Sequence, residues 1–484
     1  MRQGRADFTP DFRSPGAAGY LSEDTIVSRI SGPGGAVAAL RISGPSAFPI
    51  LKQLCPEAGE FEPRRMEKVR IFSRAGVELD SAMAAFFKGP ASFTGEDTAE
   101  IFLHGGGYIT GAVIREILQS GARQALPGEF SFRAVRNGKL TVDQAQAIHD
   151  LVSATNASAH GLALERLSGA QSRIFFEIAE ELRRLLVLAE AGIDFSDQDL
   201  EELELCRLKA PLAGILEGLS RVAASFDRGR RIQEGVSVVI AGLPNAGKST
   251  LFNELLGQER SLISEEAGTT RDVIREAVRL RSSRSGAEAT LILHDTAGLR
   301  EGEGSVERMG IELTRKTSSA SDLVVFVVGA ESAPAPVLAE WRALGMAPER
   351  CVLVLNKSDV LAERNDGAEV RREAEQWSGL FGVRDCIPVS ATEHQGVQHL
   401  VDELVERCSQ WLDREPRETV LTRVDQVEAV ERAMESLRRA NLARGHDILA
   451  ADLRQALESL SFFIGATPVD DILGRIFSQF CIGK

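Results

Sequence analysis

The nine residues GLPNAGKST (242–250) follow the apolar run VSVVIA (236–241) and precede the helix-forming run LFNELLG. A Gly-x-x-x-x-Gly-Lys-Ser/Thr loop between a strand and a helix is the phosphate-binding loop of nucleotide hydrolases. Its glycines let the backbone curl so that N–H groups point at phosphate oxygens. Lys248 can reach the β and γ phosphates, and Ser249 can ligate Mg²⁺. The stretch therefore predicts a nucleotide-binding α/β domain with a doubly wound, mainly parallel sheet.

A second motif, HDTAGL (294–299), ends the strand-like run LILH. Asp295 would hold the Mg²⁺ through its coordination shell, and the Gly298 N–H would sense the γ-phosphate. Leu299 stands where Ras has its water-orienting glutamine, and a leucine side chain cannot orient water. No arginine finger is identifiable, so hydrolysis requires another carboxylate or amide and another positive charge. The nearby carboxylates fit this role and fit a solvated acidic loop equally well: Glu301, Glu303 and Glu307.

The base is identified by NKSD (356–359), which follows the strand-like run CVLVL, and by SAT (390–392), which would supply backbone contacts. Asp359 can accept both donors on the Watson–Crick edge of guanine, and Asn356 can bond its acceptor side. A site built on such buried hydrogen bonds can reject the wrong base by roughly 10⁴-fold. Four motifs in this order, each at a strand end, predict a Ras-like P-loop GTPase domain that binds GTP rather than ATP.

The composition argues against several classes of protein. Of the 484 residues 43% are hydrophobic and 26% are charged, and no apolar run approaches the ~18 residues of a membrane span. The six cysteines include no Cys-x-x-Cys pair, which argues against a zinc ribbon or a disulfide framework. It favours a reducing compartment, which is either the cytoplasm, as we expect, or a mitochondrial matrix. A net charge of −14 opposes an independent high-affinity nucleic-acid binder. If a nucleic acid is the substrate, we expect a partner to supply much of the grip.

Patterns on both sides of the GTPase motifs predict further domains. Strand-like runs such as AALRI (38–42) and AEIFL (99–103) between glycine-rich turns indicate an N-terminal α/β domain. Helix formers dominate before and after the GTPase region, as in IAEELRRLLVLAEAGI (178–193). Both helical segments have an apolar face to bury, so we predict one discontinuous helical domain with the GTPase domain inserted into it. The predicted ranges are 1–20 for an N-terminal extension without a secretory signal, 21–140 for the α/β domain, 141–235 and 409–484 for the helical domain, and 236–408 for the GTPase domain.

Two short motifs invite interpretations that their context opposes. FCIGK (480–484) places Cys481 near the end of the chain, but Gly483 and Lys484 do not fit a prenylation signal. Cys481 is then either a reactive thiol or a small hydrophobe that packs. LHGGG (103–107) is similar to the oxyanion loop of α/β-hydrolases, but the sequence has no Gly-x-Ser-x-Gly elbow, so we interpret it as a tight turn.

The motifs together carry a family resemblance from about residue 24 to residue 484. FCIGK, PGEF and SFTGED are the specific ones, whereas the phosphate motifs alone identify only a class of GTPase. The whole set resembles the MnmE (TrmE) family of tRNA-modification GTPases. It consists of LRISGP (40–45), ASFTGEDTAE (91–100), HGG (104–106), PGEFSFRA (127–134), NGKLTVDQAQAI (137–148), GLPNAGKST (242–250), EEAGTTRD (265–272), DTAGLRE (295–301) and FCIGK (480–484).

The resemblance implies a potassium-activated GTPase whose G domains pair across a homodimer, with K⁺ in place of an arginine finger. By matching position, K⁺ would be held by Asn245, Ser264, Glu266 and Thr269, and Mg²⁺ by Ser249 and Thr270. The family's catalytic carboxylate falls on Glu307, which would orient the attacking water. The implied nucleotide contacts are Asn245, Ala246, Gly247, Lys248, Ser249, Thr250, Ser264, Glu265, Glu266, Ala267, Gly268, Thr269, Thr270, Asp295, Thr296, Ala297, Gly298, Asn356, Lys357, Ser358, Asp359, Ser390, Ala391 and Thr392.

The N-terminal domain is similar to the family's folate-binding and dimerisation domain. Arg41, Glu100, Lys139 and Lys484 would bind 5-formyl- or 5,10-methylene-tetrahydrofolate, whose anionic tail suits a cation and whose pterin edge suits a carboxylate. Read alone, Arg41 and Lys139 are ordinary surface charges. The stretch ISGPGGAVAALRISG is one residue shorter than the family pattern.

The resemblance therefore implies an enzyme that acts with the flavoprotein MnmG on carbon 5 of the wobble uridine of certain tRNAs. The folate would donate the one-carbon unit for a carboxymethylaminomethyl or aminomethyl group, glycine or ammonium the nitrogen, and the partner's FAD the redox step. GTP hydrolysis would drive a conformational change, and Cys481 would act on the uracil ring or only pack. Two alternatives explain the G domain alone: a ribosome-assembly or RNA-binding regulatory GTPase, and a mechanical scaffold GTPase that binds no folate.

Overall fold

The computed structural model describes residues 20, 24–154, 156–194, 201–258, 274–295, 321–345, 347–362, 367–412, 419–464 and 483. The chain folds into two compact units. The first contains residues 1–152, 163–216 and 429–484, and the second contains residues 153–162 and 217–428. Within the described residues, no helix combines the length and the apolar character needed to cross a membrane.

The first unit contains a six-stranded sheet, which confirms the predicted N-terminal α/β fold. Its strands are β1 (Ile26–Arg29), β2 (Val37–Ser43), β3 (Met66–Phe72), β4 (Glu78–Phe87), β5 (Thr98–His104) and β6 (Arg123–Gln124), in the spatial order β3-β4-β5-β2-β1-β6. All neighbours are antiparallel except β1 and β6. Alternate residues of the strands form one core with helices α1 (Ala47–Leu54) and α2 (Gly107–Gln119). A third helix, α3 (Glu129–Arg136), follows β6.

Helices complete the first unit. The helices that lie in it wholly or almost wholly are α4 (Val142–Ser153), α6 (Ala170–Asp194), α7 (Glu201–Lys209) and α16 (His446–Ile464). Three further helices have residues in both units: α5 (Ala157–Leu167), α8 (Leu212–Ala224) and α15 (Val424–Leu442). Helix α6 packs against α16, where the rings of Phe175 and Phe463 stack with their centroids 3.8 Å apart. The predicted pairing of helices from two distant segments is therefore confirmed.

The second unit contains the predicted doubly wound sheet. Its strands are β7 (Val236–Ala241), β8 (Ile274–Arg281), β9 (Glu288–Asp295), β10 (Leu323–Gly329), β11 (Cys351–Asn356) and β12 (Cys386–Val389), in the order β12-β11-β10-β7-β9-β8. Only β8 is antiparallel to its neighbour. Separate apolar cores cover the two faces, as expected for strands that read as continuous hydrophobic runs. The helices are α9 (Phe226–Glu234), α10 (Lys248–Gln258), α11 (Pro334–Leu344), α12 (Ser358–Ala362), α13 (Ala368–Phe381) and α14 (Val397–Leu412).

Candidate functional site

The phosphate-binding loop joins β7 to α10. Gly242 and Gly247 have φ of +138° and +90°, a region that favours glycine. A Cβ at Gly242 would overlap the Val327 carbonyl oxygen, and one at Gly247 would overlap the Asn356 amide nitrogen. The two glycines of the motif are therefore required by close approach of the backbone. Lys248 is buried at the start of α10, and its Nζ donates a 2.8 Å hydrogen bond to the Leu243 carbonyl of the same loop.

Asn356 connects three of the predicted motifs. Its Nδ2 donates to the Ala246 carbonyl at 2.9 Å, and its Oδ1 accepts from the Ala391 N–H at 3.3 Å. One buried side chain thus holds the phosphate loop and the SAT loop together at the end of β11. This structural use of the amide was not predicted from the NKSD motif, because the partners lie 110 and 35 residues away.

Asp359 carries the strongest indication of the base. Its Oδ1 is buried and has no hydrogen-bond partner among the described residues. A buried carboxylate oxygen without a donor is costly, so the position favours a ligand that donates hydrogen bonds. The N1–H and 2-amino groups of guanine are such donors, and the residue fits GTP.

The other predicted nucleotide contacts divide into two groups. Ser249 and Thr250 lie in the first turn of α10, and Lys357 and Ser358 lie where β11 passes into α12. Ser390 and Thr392 face each other with their hydroxyl oxygens 3.3 Å apart. The Asp295 backbone ends β9 beside Ile240 of β7, so the strand that carries it reaches the edge of the phosphate loop. Ser264, Glu265, Glu266, Ala267, Gly268, Thr269, Thr270, Thr296, Ala297, Gly298 and Glu307 lie outside the described residues.

In the N-terminal sheet, Arg41 and Glu100 face each other in the register of β2 and β5. The Arg41 Nε and Nη2 atoms lie 2.9 and 2.8 Å from Glu100 Oε1, and the two side chains are only 15% and 16% exposed. The guanidinium also lies over the rings of Phe93 and Phe130, 4.6 and 5.5 Å from their centroids. The structure therefore brings the predicted pair together in a position walled by these two aromatic rings, and Arg41 is not an ordinary surface charge.

The remaining predicted folate residues are placed less completely. Lys139 is exposed, and its Nζ donates to the Pro90 carbonyl at 3.0 Å. Lys484 and Cys481 lie outside the described residues, but Gly483 between them is described and buried. Gly483 has φ +102°, and a Cβ there would overlap the Arg29 carbonyl oxygen. Gly483 is therefore seated against the end of β1.

A buried charge network in the same domain was not predicted. Arg133 of α3 is 1% exposed, and it donates to Asp24, Glu96 and Glu129 at 3.0 to 3.1 Å. Arg123 pairs with Glu129 and Asp24 as well. Burial works against the charge on Arg123, but the hydrogen bonds that it donates to the carboxylates of Glu129 and Asp24 outweigh burial and raise the pKa of Arg123. The i, i+4 spacing of glutamate and arginine in PGEFSFRA is the only local signal of this network.

Tyr20 packs against residues of the segment that contains Glu129 and Arg133. Its hydroxyl donates to the Pro127 carbonyl at 3.0 Å, and its ring lies 5.1 Å from the ring of Phe132. Burial, aided by the negative charge of Glu129, raises the pKa of Tyr20 to about 12. Although Tyr20 falls in the range predicted as an extension, it packs as part of the N-terminal domain.

Comparisons with known proteins agree with this architecture. Two family models match, "GTP-binding protein TrmE N-terminus" over residues 25–139 and "MnmE helical domain" over residues 142–481. The tRNA modification GTPase MnmE of Psychrobacter arcticus is 36% identical over 93% of this chain and 94% of that protein. The MnmE of Desulfitobacterium hafniense is 35% identical over 96% of this chain and all of that protein, and that of a Marinomonas species is 36% identical over 96% and 98%.

The matches span both the N-terminal sheet and the helices that flank the G domain, and they extend over nearly the whole length of each relative. A shared G domain alone would not produce such coverage. This chain therefore belongs to the MnmE family of tRNA modification GTPases.

Proposed function

We propose that this chain is a potassium-activated GTPase that acts with the flavoprotein MnmG to modify carbon 5 of the wobble uridine in certain tRNAs. The observation that carries the proposal is the presence, on one chain of this family, of two different binding arrangements. A buried carboxylate oxygen of Asp359 suits guanine, and the walled Arg41–Glu100 pair suits a pterin with an anionic tail. A GTPase that acted only as a mechanical device would need the first arrangement and not the second.

In the G domain, the backbone of 242–250 and Lys248 would bind the phosphates, and Asp359 would select guanine. Ser249 and Thr270 would hold Mg²⁺, which neutralises phosphate charge. Asn245, Ser264, Glu266 and Thr269 would hold K⁺, which would supply the positive charge that no arginine provides. Asn245 is exposed in the phosphate loop and has φ +64°, so its side chain is available at the loop surface.

Glu307 would orient the attacking water by accepting a hydrogen bond from it, because Leu299 cannot. GTP hydrolysis would then drive a conformational change rather than form a bond in the product. We expect the rate of GTP hydrolysis to be several times higher in K⁺ than in Na⁺.

In the N-terminal domain, Arg41, Glu100, Lys139 and Lys484 would bind a tetrahydrofolate derivative, which would supply the one-carbon unit. The pairing of Arg41 with Glu100 keeps both side chains in position before the ligand arrives. The chain would act as a homodimer in a heterotetramer with MnmG, whose FAD would supply the redox step. A net charge of −14 agrees with a partner that supplies much of the binding to tRNA. The cytoplasm is the proposed location.

The decisive experiment is nucleoside mass spectrometry of tRNA from a strain that lacks this chain. We expect the carbon-5 modification of the wobble uridine to disappear and to return with the wild-type gene. A Glu307→Ala variant should hydrolyse GTP roughly 10²-fold more slowly while it still binds the nucleotide. Unchanged wobble uridines in the deletion strain would refute the proposal, and a defect in ribosomal subunits with normal tRNA would support a ribosome-assembly GTPase instead.

A further inference from the structure

In the HGG motif (104–106), the exposed side chain of His104 contacts the buried carboxylate of Asp80. His104 is the last residue of β5 and its side chain is 71% exposed, whereas the Asp80 side chain is 6% exposed. The His104 Nδ1 lies 2.7 Å from Asp80 Oδ1, and the His104 backbone N–H donates to Asp80 Oδ2 at 2.9 Å. Asp80 Oδ1 also accepts from the Ser81 N–H at 2.8 Å. These hydrogen bonds hold the Asp80 carboxylate in one orientation, and the carboxylate in turn holds the His104 imidazole in place.

This arrangement determines which ring nitrogen is available. Because a carboxylate accepts hydrogen bonds, it favours the tautomer in which Nδ1 carries the proton. The Nε2 lone pair then points away from Asp80, on a ring that is mostly exposed. A surface ion pair contributes little to stability, so the exposed imidazole is not explained by folding alone.

His104 lies at the same end of the sheet as the seat of Gly483. His104 faces Val37 in the register of β2 and β5, and the Ile30 N–H donates to the Ala39 carbonyl on the other side of β2. Two strand spacings and two residues separate the His104 and Ile30 Cα atoms, which is about 12 Å. A Cβ at Gly483 would come within 3.4 Å of the Ile30 Cα. Gly483 thus lies within about the span of one nucleoside from His104.

The glycines around His104 leave room for such a substrate. Gly105 donates its N–H to the Ala36 carbonyl at 2.8 Å, and a Cβ on it would overlap the Gly35 carbonyl oxygen. Gly32, Gly34 and Gly107 have no neighbouring atoms within 4 Å of an added Cβ. Gly107, three residues after His104, and the loop that carries Gly32 and Gly34 therefore have open space beside their backbone.

We propose that His104 is the general base that removes the proton from carbon 5 of the uracil ring, and that Asp80 is its positioning residue. This inference rests on the proposed function. When the ring attacks the one-carbon unit of the folate, a C–C bond forms at carbon 5 with a π electron pair of the ring. The C5–H bond then breaks, its electron pair restores the double bond, and the proton passes to Nε2 of His104 and on to solvent. As the C–C bond forms, the C=N π electron pair of the methylene iminium moves to N5 of the folate. Glycine or ammonium then displaces N5, which releases tetrahydrofolate and leaves the aminomethyl group on carbon 5, and this exchange itself transfers no electrons to or from the partner's FAD.

The test follows the proton directly. Full-length chain with MnmG, GTP and methylene-tetrahydrofolate is given tRNA that contains [5-³H]uridine, and tritium release to water is measured. His104→Gln should lower the release rate by about 10²-fold or more, and Asp80→Asn should lower it by a smaller factor. GTP hydrolysis and folate binding should not change. His399, which is exposed on α14 of the other unit, provides the matched control His399→Gln, which should release tritium at the wild-type rate.

A second measurement does not depend on activity. The ¹⁵N NMR shifts of the His104 ring should show the Nδ1–H tautomer in the wild type and a mixture of tautomers in Asp80→Asn. If His104→Gln releases tritium at the wild-type rate, or if the wild-type ring shows the Nε2–H tautomer, the proposal is wrong. If His104→Gln lowers tritium release and GTP hydrolysis equally, its role is structural and the proposal is also wrong. If the wild-type protein itself modifies no tRNA, the proposed function fails, which is a distinct outcome.

Discussion

The two candidate sites of this chain are built in different ways. In the G domain, each group of ligand-binding residues is contiguous in sequence and lies at the end of one strand, as in 242–250 and 356–359. In the N-terminal domain, Arg41 and Glu100 are 59 residues apart, and Arg133 reaches Asp24 across 109 residues. Strand ends of a parallel sheet bring local motifs together automatically, whereas an antiparallel sheet brings together whatever its register dictates.

The difference predicts how each site responds to substitution. With the exception of Asn356, which links two loops, a residue of the G-domain site should affect nucleotide binding and little else, because its neighbours are held by strands that do not depend on it. A residue of the N-terminal network should affect folding and ligand binding together, because the same contacts supply both. The four substitutions below test this contrast, from the largest expected effect to the smallest.

Asp359→Asn should abolish recognition of GTP with almost no effect on folding. The amide cannot accept both guanine donors, so GTP affinity should fall by about 10³-fold or more. Xanthosine triphosphate, which has a carbonyl in place of the 2-amino group, should bind the variant better than GTP does. Calorimetry with both nucleotides measures the reversal, and folate binding by the same sample should equal that of the wild type. A variant that loses both ligands would contradict the independence of the G-domain site.

Arg133→Met should affect both properties of the N-terminal domain. Removing one partner of a buried ion cluster leaves carboxylates such as Glu129 uncompensated and costs about 3–5 kcal/mol. Hydrogen exchange at the β1 and β2 amides should therefore accelerate by about 10²-fold or more, and folate binding should weaken in parallel. Arg123→Met is the matched control, because Arg123 pairs with the same carboxylates but is 31% exposed. It should cost about 1 kcal/mol or less. Equal losses in the two variants would show that burial is not the cause.

The same contrast explains what the sequence could and could not predict. Gly242, Lys248 and Asp359 were recognisable because each lies in a motif whose spacing is fixed by one turn of backbone. The link from Asn356 to Ala246 was not recognisable, since the motif states the residue and not its partner. The doubly wound sheet of the G domain followed from alternating apolar strands and helices, but its strand order was not predicted.

In the N-terminal domain, strands β2 and β5 were predicted as short apolar runs between glycine-rich turns, but their register was not predicted. Arg41 and Glu100 were singled out only through resemblance to a family. The roles of Arg133 and Asp80 depend on contacts with residues far away in sequence, and no local pattern encodes a pairing register. Buried charges are therefore the part of this chain that sequence reasoning misses, because composition makes them look like surface residues.

Gly483→Ala tests whether the N-terminal site extends to the tail. A side chain there would meet the Arg29 carbonyl oxygen and would be strained at φ +102°. Gly483 should be displaced from its contact with Arg29 and Ile30. As a result, tRNA modification should fall by about 10-fold, because misplaced groups lose the advantage of proximity. Gly76→Ala is the matched control, with φ +77° but no atom within 4 Å of the added Cβ. It should modify tRNA at nearly the wild-type rate. If both variants behave alike, backbone strain rather than the seat explains the loss.

The smallest effect is expected for a substitution of Asp402. It tests whether a long-range polar contact in the G domain can be removed without changing nucleotide binding. Its carboxylate accepts hydrogen bonds from the Ser283 N–H and from Gln398 Nε2, at 2.7 and 3.0 Å, and so ties the β8–β9 turn to α14.

Burial alone would raise the pKa of Asp402. The hydrogen bonds from Gln398 and Ser283 and the charge of Arg284 outweigh burial and hold the pKa below its usual value of 3.8. The carboxylate therefore stabilises the fold above that pH, and this contribution is lost as the pH falls through the lowered pKa.

Asp402→Asn should cost about 1 kcal/mol at pH 7, and the difference from the wild type should shrink below about pH 4. Hydrogen exchange of the β8–β9 amides in increasing urea, repeated across this pH range, measures the difference in unfolding free energy between the variant and the wild type. GTP affinity at pH 7 should stay unchanged, because the carboxylate holds a turn at the other end of β8 and β9 from Asp295. A loss of affinity would mean that the G-domain site depends on distant contacts as the N-terminal site does.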